Sequence, residues 1–374
     1  MVVDCVLTSL DSQQCQSVTI IEYRVPAGRI DGDFLHKTLV VVTTACGFGG
    51  PQTSNVEKAY MKFRGHAYQM ETCSFNKTNY DRSAFRVVRT AIPCSDELKR
   101  CRWEGGGIQD ILTVANQAIT NGRQRLEGGD ANIAFNRYVI LLPYGGHGCT
   151  WGGMGLTPGD TIWLPGRAFD RLGIVMQETL HNIGLLHGYG PDWRCGGNDV
   201  YPHCEYGDAS TSMGIGDSCP SAPEQYRLGW SAPIADLNSA NFPEDNRYRK
   251  YLLPATFTND RNLIRIRPNW LGAAYTKNLY LALRQKGGGD WNLLEKYNNK
   301  VNVHTSSVPE DNADSALIDS SNTQPEIIAT LAKNTAWTYG AARVAVRTGD
   351  FVDANNIEVF VCRFQSSSSD CRMP

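Results

Sequence analysis

One stretch limits what this chain can fold into more than any other: Val175-Met176-Gln177-Glu178-Thr179-Leu180-His181-Asn182-Ile183-Gly184-Leu185-Leu186-His187. On a helix, positions four apart share a face, so Gln177 and His181 address one point in space with Glu178 beside them. Gly184 can take the left-handed conformation that ends a helix, because it has no Cβ. The chain then turns, and His187 reaches the same point from a new direction. The result is a cup of three donors, two imidazoles and an amide, with a fourth side open. An open side is what a catalytic metal needs, because water binds there and is made acidic. Glu178, next to the first donor, is the candidate base for that water. The blander reading makes His181 and His187 satisfied polar residues around an ordinary helix end. It suits a lone histidine better than it suits four residues at fixed spacings.

At 374 residues the chain exceeds the roughly 250–300 at which single cores stop growing, so two domains or one elaborated domain is expected. Hydrophobic residues at 41% and charged residues at 20% make it globular rather than disordered. Lys and Arg number 36 against 38 Asp and Glu, a net charge of -2, which leaves no basic excess for a phosphate backbone and excludes nucleic acid as a partner. The longest apolar runs, such as Thr38 to Ala45 and Tyr138 to Pro143, fall far below the ~18 to 20 residues of a membrane span, so no membrane insertion is expected. The 12 cysteines, with no C-x2-C pair among them, fit an oxidising compartment and up to six bridges. Cys94 with Cys101, Cys195 with Cys204, and Cys362 with Cys371 have loop-closing spacings, while the connectivity stays open. Asn76-Lys77-Thr78 is a glycosylation sequon, which adds slightly to the case for secretion. Met1 to Leu10 contains an Asp and a Cys and lacks a basic flank, so a mature or truncated form is expected there.

Along the chain, Ser17 to Val25 reads as a strand, and Ala27 to Asp33 as a turn. The β-branched run Thr38 to Thr43 reads as a strand buried on both faces. Helices are expected over Asn55 to Gly65 and Gly107 to Ile119. Further strands are expected over Phe85 to Ile92, Arg137 to Leu142 and Thr161 to Leu164, with Leu172 to Leu186 as the last helix of an α/β layer. Gly188 to Pro233 reads as loop stapled by cysteines. Short alternating runs follow at Asn262 to Arg267, Asn278 to Arg284, Ala342 to Arg347 and Ile357 to Phe364, the texture of a β-rich unit. The expected class is α+β: an N-terminal extension over 1–36, a domain of mixed sheet plus the active helix over 37–245, and a β-rich C-terminal domain over 246–374.

The pattern in the active helix matches the elongated zinc signature of the metzincin peptidases at four of its five fixed positions, with Gln177 in place of the first His. Ser210-Thr211-Ser212-Met213-Gly214 follows where metzincins carry the turn whose Met underlies the metal ligands. Cys149-Thr150-Trp151-Gly152-Gly153, Cys219-Pro220-Ser221-Ala222-Pro223, Arg227-Leu228-Gly229-Trp230 and Asn299-Lys300-Val301-Asn302-Val303-His304 extend the likeness. From about Lys37 into the C-terminal β region, the chain resembles the gametolysin family of algal extracellular-matrix metallopeptidases. The resemblance implies a metzincin-like catalytic domain and a secreted, monomeric metalloendopeptidase whose substrates are hydroxyproline-rich glycoproteins of cell wall or matrix. It implies zinc held by Gln177, His181 and His187, Glu178 as base, and Gly184 and Met213 as structural supports. Members with Gln at the first position occur in this family beside those with His. A neutral amide is a weaker zinc donor than imidazole, so copper or another divalent ion is also admitted.

Three further expectations complete the reading. Tyr226, downstream of Met213, is a candidate oxyanion group, with a packing role as its alternative. His147 and His203 are candidate replacements for the missing first ligand. Gly152 to Gly155 is either an edge strand for an extended peptide or a flexible connector. The rival function is a catalytically inactive metzincin-fold matrix protein, for which Gln177 argues and Glu178 argues against.

Overall fold

A computed structural model describes residues 2–7, 15–22, 34–96, 98, 108–144, 151–191, 204–308 and 325–374, with backbone alone for 2–7, 15–22, 108–111 and 204. The strands in the first half are β1 (Val2–Leu7), β2 (Cys15–Glu22), β3 (Phe34–His36), β4 (Thr38–Thr44), β5 (Thr78–Tyr80), β6 (Arg86–Ala91), β7 (Arg137–Leu142), β8 (Met154–Gly155) and β9 (Thr161–Pro165). Helices α1 (Thr53–Met61), α2 (His66–Cys73), α3 (Ile108–Arg123) and α4 (Leu172–His181) accompany them. Beyond α4 come β10 (Tyr189–Gly190), β11 (Cys204–Glu205), helix α5 (Ala222–Arg227), β12 (Ala232–Leu237), β13 (Arg249–Pro254), β14 (Arg261–Ile266), β15 (Lys277–Arg284), β16 (Lys300–Ser307), β17 (Glu326–Leu331), β18 (Ala336–Tyr339), β19 (Val344–Asp353) and β20 (Asn356–Arg363). Strand outweighs helix, and the class is mixed α and β.

The first large sheet has the order β6-β4-β7-β9-β8. Its neighbours are parallel except at the edge, where β8 runs antiparallel to β9. A parallel sheet needs helices over both faces, and the alternation within β4 shows how that is met. Val40, Val42, Leu141 and Leu164 face one core with Tyr60 of α1, Met70 of α2 and Val175 and Leu180 of α4. Leu39, Val41, Ile140 and Trp163 face the other, against Ala115 and Ala118 of α3. Truncating a residue in such a layer, as in Leu141→Ala, costs about 2–5 kcal/mol because the cavity relaxes only in part.

A seven-stranded sheet of order β11-β10-β17-β16-β15-β14-β12 packs on an antiparallel four-stranded sheet, β13-β20-β19-β18. Between them lie Ile264, Leu281, Leu283, Val303, Val346, Val359 and Val361. The larger sheet takes strands from both sides of residue 245, since β10, β11 and β12 precede it and β14 to β17 follow it.

Several expected elements differ in extent. The helix expected over Asn55 to Gly65 is α1, which starts at Thr53 and ends at Met61 before a turn over 62–65, and α2 follows it as a helix the sequence reading does not include. The active helix ends at His181 rather than at Leu186. The segment read as cysteine-stapled loop contains α5, where Ser221 N–H donates to Glu224 Oε2 at 2.6 Å as in one arm of a capping box. Ala27 to Asp33 lies outside the described residues.

The described disulfides are Cys46–Cys94, Cys73–Cys219 and Cys362–Cys371. The last is the short loop its spacing suggests. Cys94, by contrast, joins not Cys101 but Cys46, 48 residues away in sequence, because the ends of β4 and β6 lie side by side. The pairing of Cys195 with Cys204 falls outside what is described. Among the described residues no helix is long and apolar enough to cross a membrane.

Candidate active site

Helix α4 is buried on nearly every side, and its two chemistries separate by face. Val175, Met176 and Leu180 point into the core. Gln177, Glu178 and His181 line a cavity of about 830 Å3, together with Leu186, His187, Tyr189, Glu205, Tyr206 and residues 151–155. At its start, Gly173 N–H donates to Asp217 Oδ1 at 2.9 Å.

The end of α4 explains why the two histidines meet. Leu185 N–H donates to Leu180 O at 3.1 Å and Gly184 N–H to His181 O at 2.8 Å, the paired bonds of a Schellman motif. Gly184 sits at φ +100, so it supplies the backbone reversal that a side chain would oppose. The reversal brings Leu185 O to His181 Nδ1 at 2.7 Å and carries His187 round to face the same cavity. His181 Nε2 and His187 Nε2 then lie 3.0 Å apart.

The protons on these rings follow from their partners. Leu185 O can only accept, so His181 Nδ1 carries the proton and donates it. Glu205 Oε1 lies 2.6 Å from His187 Nδ1 and, as a carboxylate, fixes the same tautomer there. Neutral rings in those tautomers turn two lone pairs at each other across 3.0 Å. A cation seated between them resolves that repulsion, so the donor chemistry of the pair fits a metal ion. Burial, and then the neighbouring His187, bring the His181 pKa down to about 4, which keeps the ring neutral at physiological pH. Burial lowers His187 as well, partly offset by Glu205.

Glu178 is buried, and desolvation pushes its carboxyl up to about 8. Strand β8 lies flat against it: a Cβ on Gly153 would fall 2.7 Å from the Glu178 side chain, and one on Gly155 2.7 Å from Glu178 O. Gly152 to Gly155 thus includes an edge strand of the first sheet, with glycines where the backbone passes closest to the acid. Met213 is fully buried beneath this region, and its carbonyl accepts Gly188 N–H at 2.9 Å, one residue past His187.

Gln177, Glu178, His181 and His187 therefore line one cavity, with Gly184 at the chain reversal between the histidines and Met213 O bonded just past His187. Among the described residues no three His, Cys, Asp or Glu side chains form a metal-binding group. The imidazole pair and Gln177 line the same cavity. Tyr226 is not among the residues lining the cavity. Its hydroxyl bonds to Arg265 Nη1 at 2.9 Å and its ring packs on Tyr280. Asn76 is exposed on the turn between α2 and β5, in a left-handed conformation at φ +60. His147 and His203 lie outside the described residues.

Two residues of the site escape a reading of the sequence. Glu205 orients His187, and the Tyr206 ring packs against His187 at a 40° tilt with centroids 3.9 Å apart. Burial, Glu205 and Glu178 push the Tyr206 hydroxyl up to about 12, so it stays protonated. The only signal for Glu205 is the general one that a ligating histidine takes a carboxylate or carbonyl on its other nitrogen. No spacing singles it out within a stretch of little periodicity.

The family model of the gametolysin peptidase M11 family matches residues 36–341. This chain belongs to the gametolysin peptidase family. Autolysin of Chlamydomonas reinhardtii is 29% identical over 206 residues, which cover 45% of this chain and 30% of the relative. The matched part of the chain thus spans about a third of that curated relative's length.

Proposed function

We propose that this chain is a metal-dependent endopeptidase of metzincin-like arrangement, secreted, and acting on protein substrates of the cell wall or extracellular matrix. The observation that carries the reading is the facing of His181 Nε2 and His187 Nε2 at 3.0 Å, each ring's other nitrogen committed to an oxygen, beside a buried Glu178. His181, His187 and the Gln177 amide would hold the ion, zinc first and copper as the alternative that an amide donor admits. Bound there, a divalent ion supplies the Lewis acidity that acidifies water and polarises a carbonyl oxygen.

The chain's own residues do the rest. Glu178 takes the proton of the attacking water and later passes it to the leaving amine, so one carboxylate serves both halves of the hydrolysis. Edge strand β8 lies along the cavity, where an extended peptide would run beside it. Gly153 and Gly155 keep that peptide close to Glu178. Glu205 holds His187 in the ligating tautomer. The peptidase unit is taken as residues 37–245, after an extension over 1–36, with the β-rich unit over 246–374. The disulfides accord with an oxidising compartment. Hydroxyproline-rich glycoproteins are the substrate class we favour, with Asn76 as a glycan acceptor and the monomer as the working state. Gln177 favours a second reading, a catalytically inactive matrix-binding protein.

Cleavage of gelatin and of a hydroxyproline-rich peptide by zinc- or copper-loaded protein tests this. We expect Glu178→Gln to bind the same metal and to lose roughly 10²–10⁴-fold in rate. Parental cleavage by that variant would remove Glu178 as base. A parent that stays inert with either ion would leave the binding reading.

A further inference from the structure

The turn that carries Met213 is anchored from a distant part of the chain. His304 on β16 and Asp208 are each 1% exposed, and His304 Nε2 meets Asp208 Oδ2 at 2.9 Å. Asp208 in turn bonds both ends of the turn. Its Oδ1 accepts Ser210 N–H at 2.7 Å, and its carbonyl accepts Ile215 N–H at 3.2 Å. Gly214 packs so tightly there that a Cβ would fall 1.9 Å from Asp208 O. Within the turn, Met213 N–H donates to Thr211 Oγ1 at 3.1 Å, and the Thr211 hydroxyl donates to buried Glu224. The turn then meets the active residues twice. Met213 O holds Gly188 N–H, and Gly214 to Asp217 line the cavity.

Ser210 Oγ lies 3.4 Å from the same His304 Nε2, so the trio has the composition of a hydrolytic triad. It cannot act as one. Asp and Ser address the same ring nitrogen, and all three residues are sealed from solvent. Burial raises the Asp208 carboxyl, but the His304 and Ser210 contacts outweigh that and hold it below its ordinary range. Burying such a polar pair recovers little net stability, and fixing one arrangement is the better-attested use of it.

The site side of this clamp shares a sheet with it. Tyr189 of β10 pairs with Glu326 of β17, whose Ile327 pairs with His304, and β10 also carries β11 with Glu205. We propose that His304 is a positioning residue for the metal site, fixing the Met213 turn through Asp208 and the path of His187 through Gly188. This rests on reading His181 and His187 as metal donors.

The test uses the full chain and zinc alone. Zinc affinity is measured by competition with a chromophoric chelator, and amide hydrogen exchange over 188–216 is followed in metal-free protein. In His304→Phe we expect zinc binding weaker by about 10–100-fold, the usual cost of losing an outer partner. Exchange at Gly188 and Ile215 should accelerate by roughly tenfold or more as the turn opens locally. His304→Gln keeps an N–H for Asp208 and should return both readouts to within about threefold of parent. If the Phe variant does not fold, Asp208→Asn takes its place with the same expected losses. A folded variant with parental exchange at Gly188 and Ile215 overturns the proposal. A parent that binds no zinc sinks the reading of the site instead, and the exchange data then decide the clamp alone.

Discussion

The two walls of the cavity are made in different ways. On one wall, Gln177, Glu178 and His181 come from a single helix, and His187 follows after one glycine reversal. On the other, Glu205, Tyr206 and the Met213 turn are held by a sheet whose strands come from residues 189 to 331. The first wall is local physics: four-residue spacing and a left-handed glycine suffice. The second depends on pairings across 96 residues, such as Asp208 with His304. The chemistry is thus encoded locally and aimed from a distance. Changes on the helix should alter what the site does, and changes on the sheet how firmly it is held.

The largest effect is expected where the two halves are tied covalently. Cys73 and Cys219 are 146 residues apart, and closing so long a loop is worth about 5 kcal/mol in the chain-entropy account. Cys362 and Cys371 are 9 apart, which gives about 3 kcal/mol on the same account. Denaturant melts of Cys73→Ala with Cys219→Ala should show the greater loss. Equal losses from the two bridges would break this part of the comparison.

Next comes the cost of the buried acid. The folded pKa of Glu178, about 8, lies above its value of 4.5 in an unfolded chain. Its contribution is therefore fully present below 4.5 and lost as pH rises through 8. Metal-free Glu178→Gln should be more stable than metal-free parent by about 4 kcal/mol at pH 8, a gain that vanishes near pH 4. A variant no more stable than parent at pH 8 would mean the carboxyl is solvated or paired.

The helix-covered half should also be the more sensitive to acid. Burial brings His66 down to about 4, with Phe169 O bonded to its Nε2 at 2.7 Å. A histidine with a depressed folded pKa keeps its contribution above 6.5 and loses it as pH falls to 4. That is about 3 kcal/mol lost across this window, and His66→Gln should flatten the slope. In the other half, Asp208 is held below its ordinary range by His304 and Ser210, so its contribution is lost only as pH falls through that lowered value, below the window of His66.

The smallest effect separates orientation from ligation. Glu205→Ala should weaken zinc binding about 10–100-fold, with cleavage by the loaded protein nearly intact. Gln177→His, which trades an amide for an imidazole, should tighten it by about tenfold or more. If Gln177→His changes nothing, the first donor position does not reach the ion.

This division also explains what a reader of the sequence could see. Strands β4, β7 and β9 were legible because a parallel strand buried on both faces is a continuous apolar run. The active helix and its glycine were legible because their spacing is set by one turn of helix. Helix α2 begins straight after Gly65 with no side-chain cap, so no capping residue marks its start in the sequence. Helix α5 lasts only six residues, too short for periodicity to register. Tyr226 reads from the sequence as an oxyanion candidate or a packing residue, and the fold places its hydroxyl on Arg265, away from the residues that line the cavity. Glu205 and Tyr206 became visible only once strand pairing had brought them to His187.

The most direct measurement is metal content by elemental mass spectrometry, on parent and on His181→Ala with His187→Ala, before and after dialysis against chelator, with cleavage followed on each sample. The account predicts one equivalent of zinc or copper in the parent, none in the variant, and cleavage that falls with the metal and returns with it. A folded variant that keeps the metal, or a parent that cleaves unchanged after its metal is gone, would contradict it.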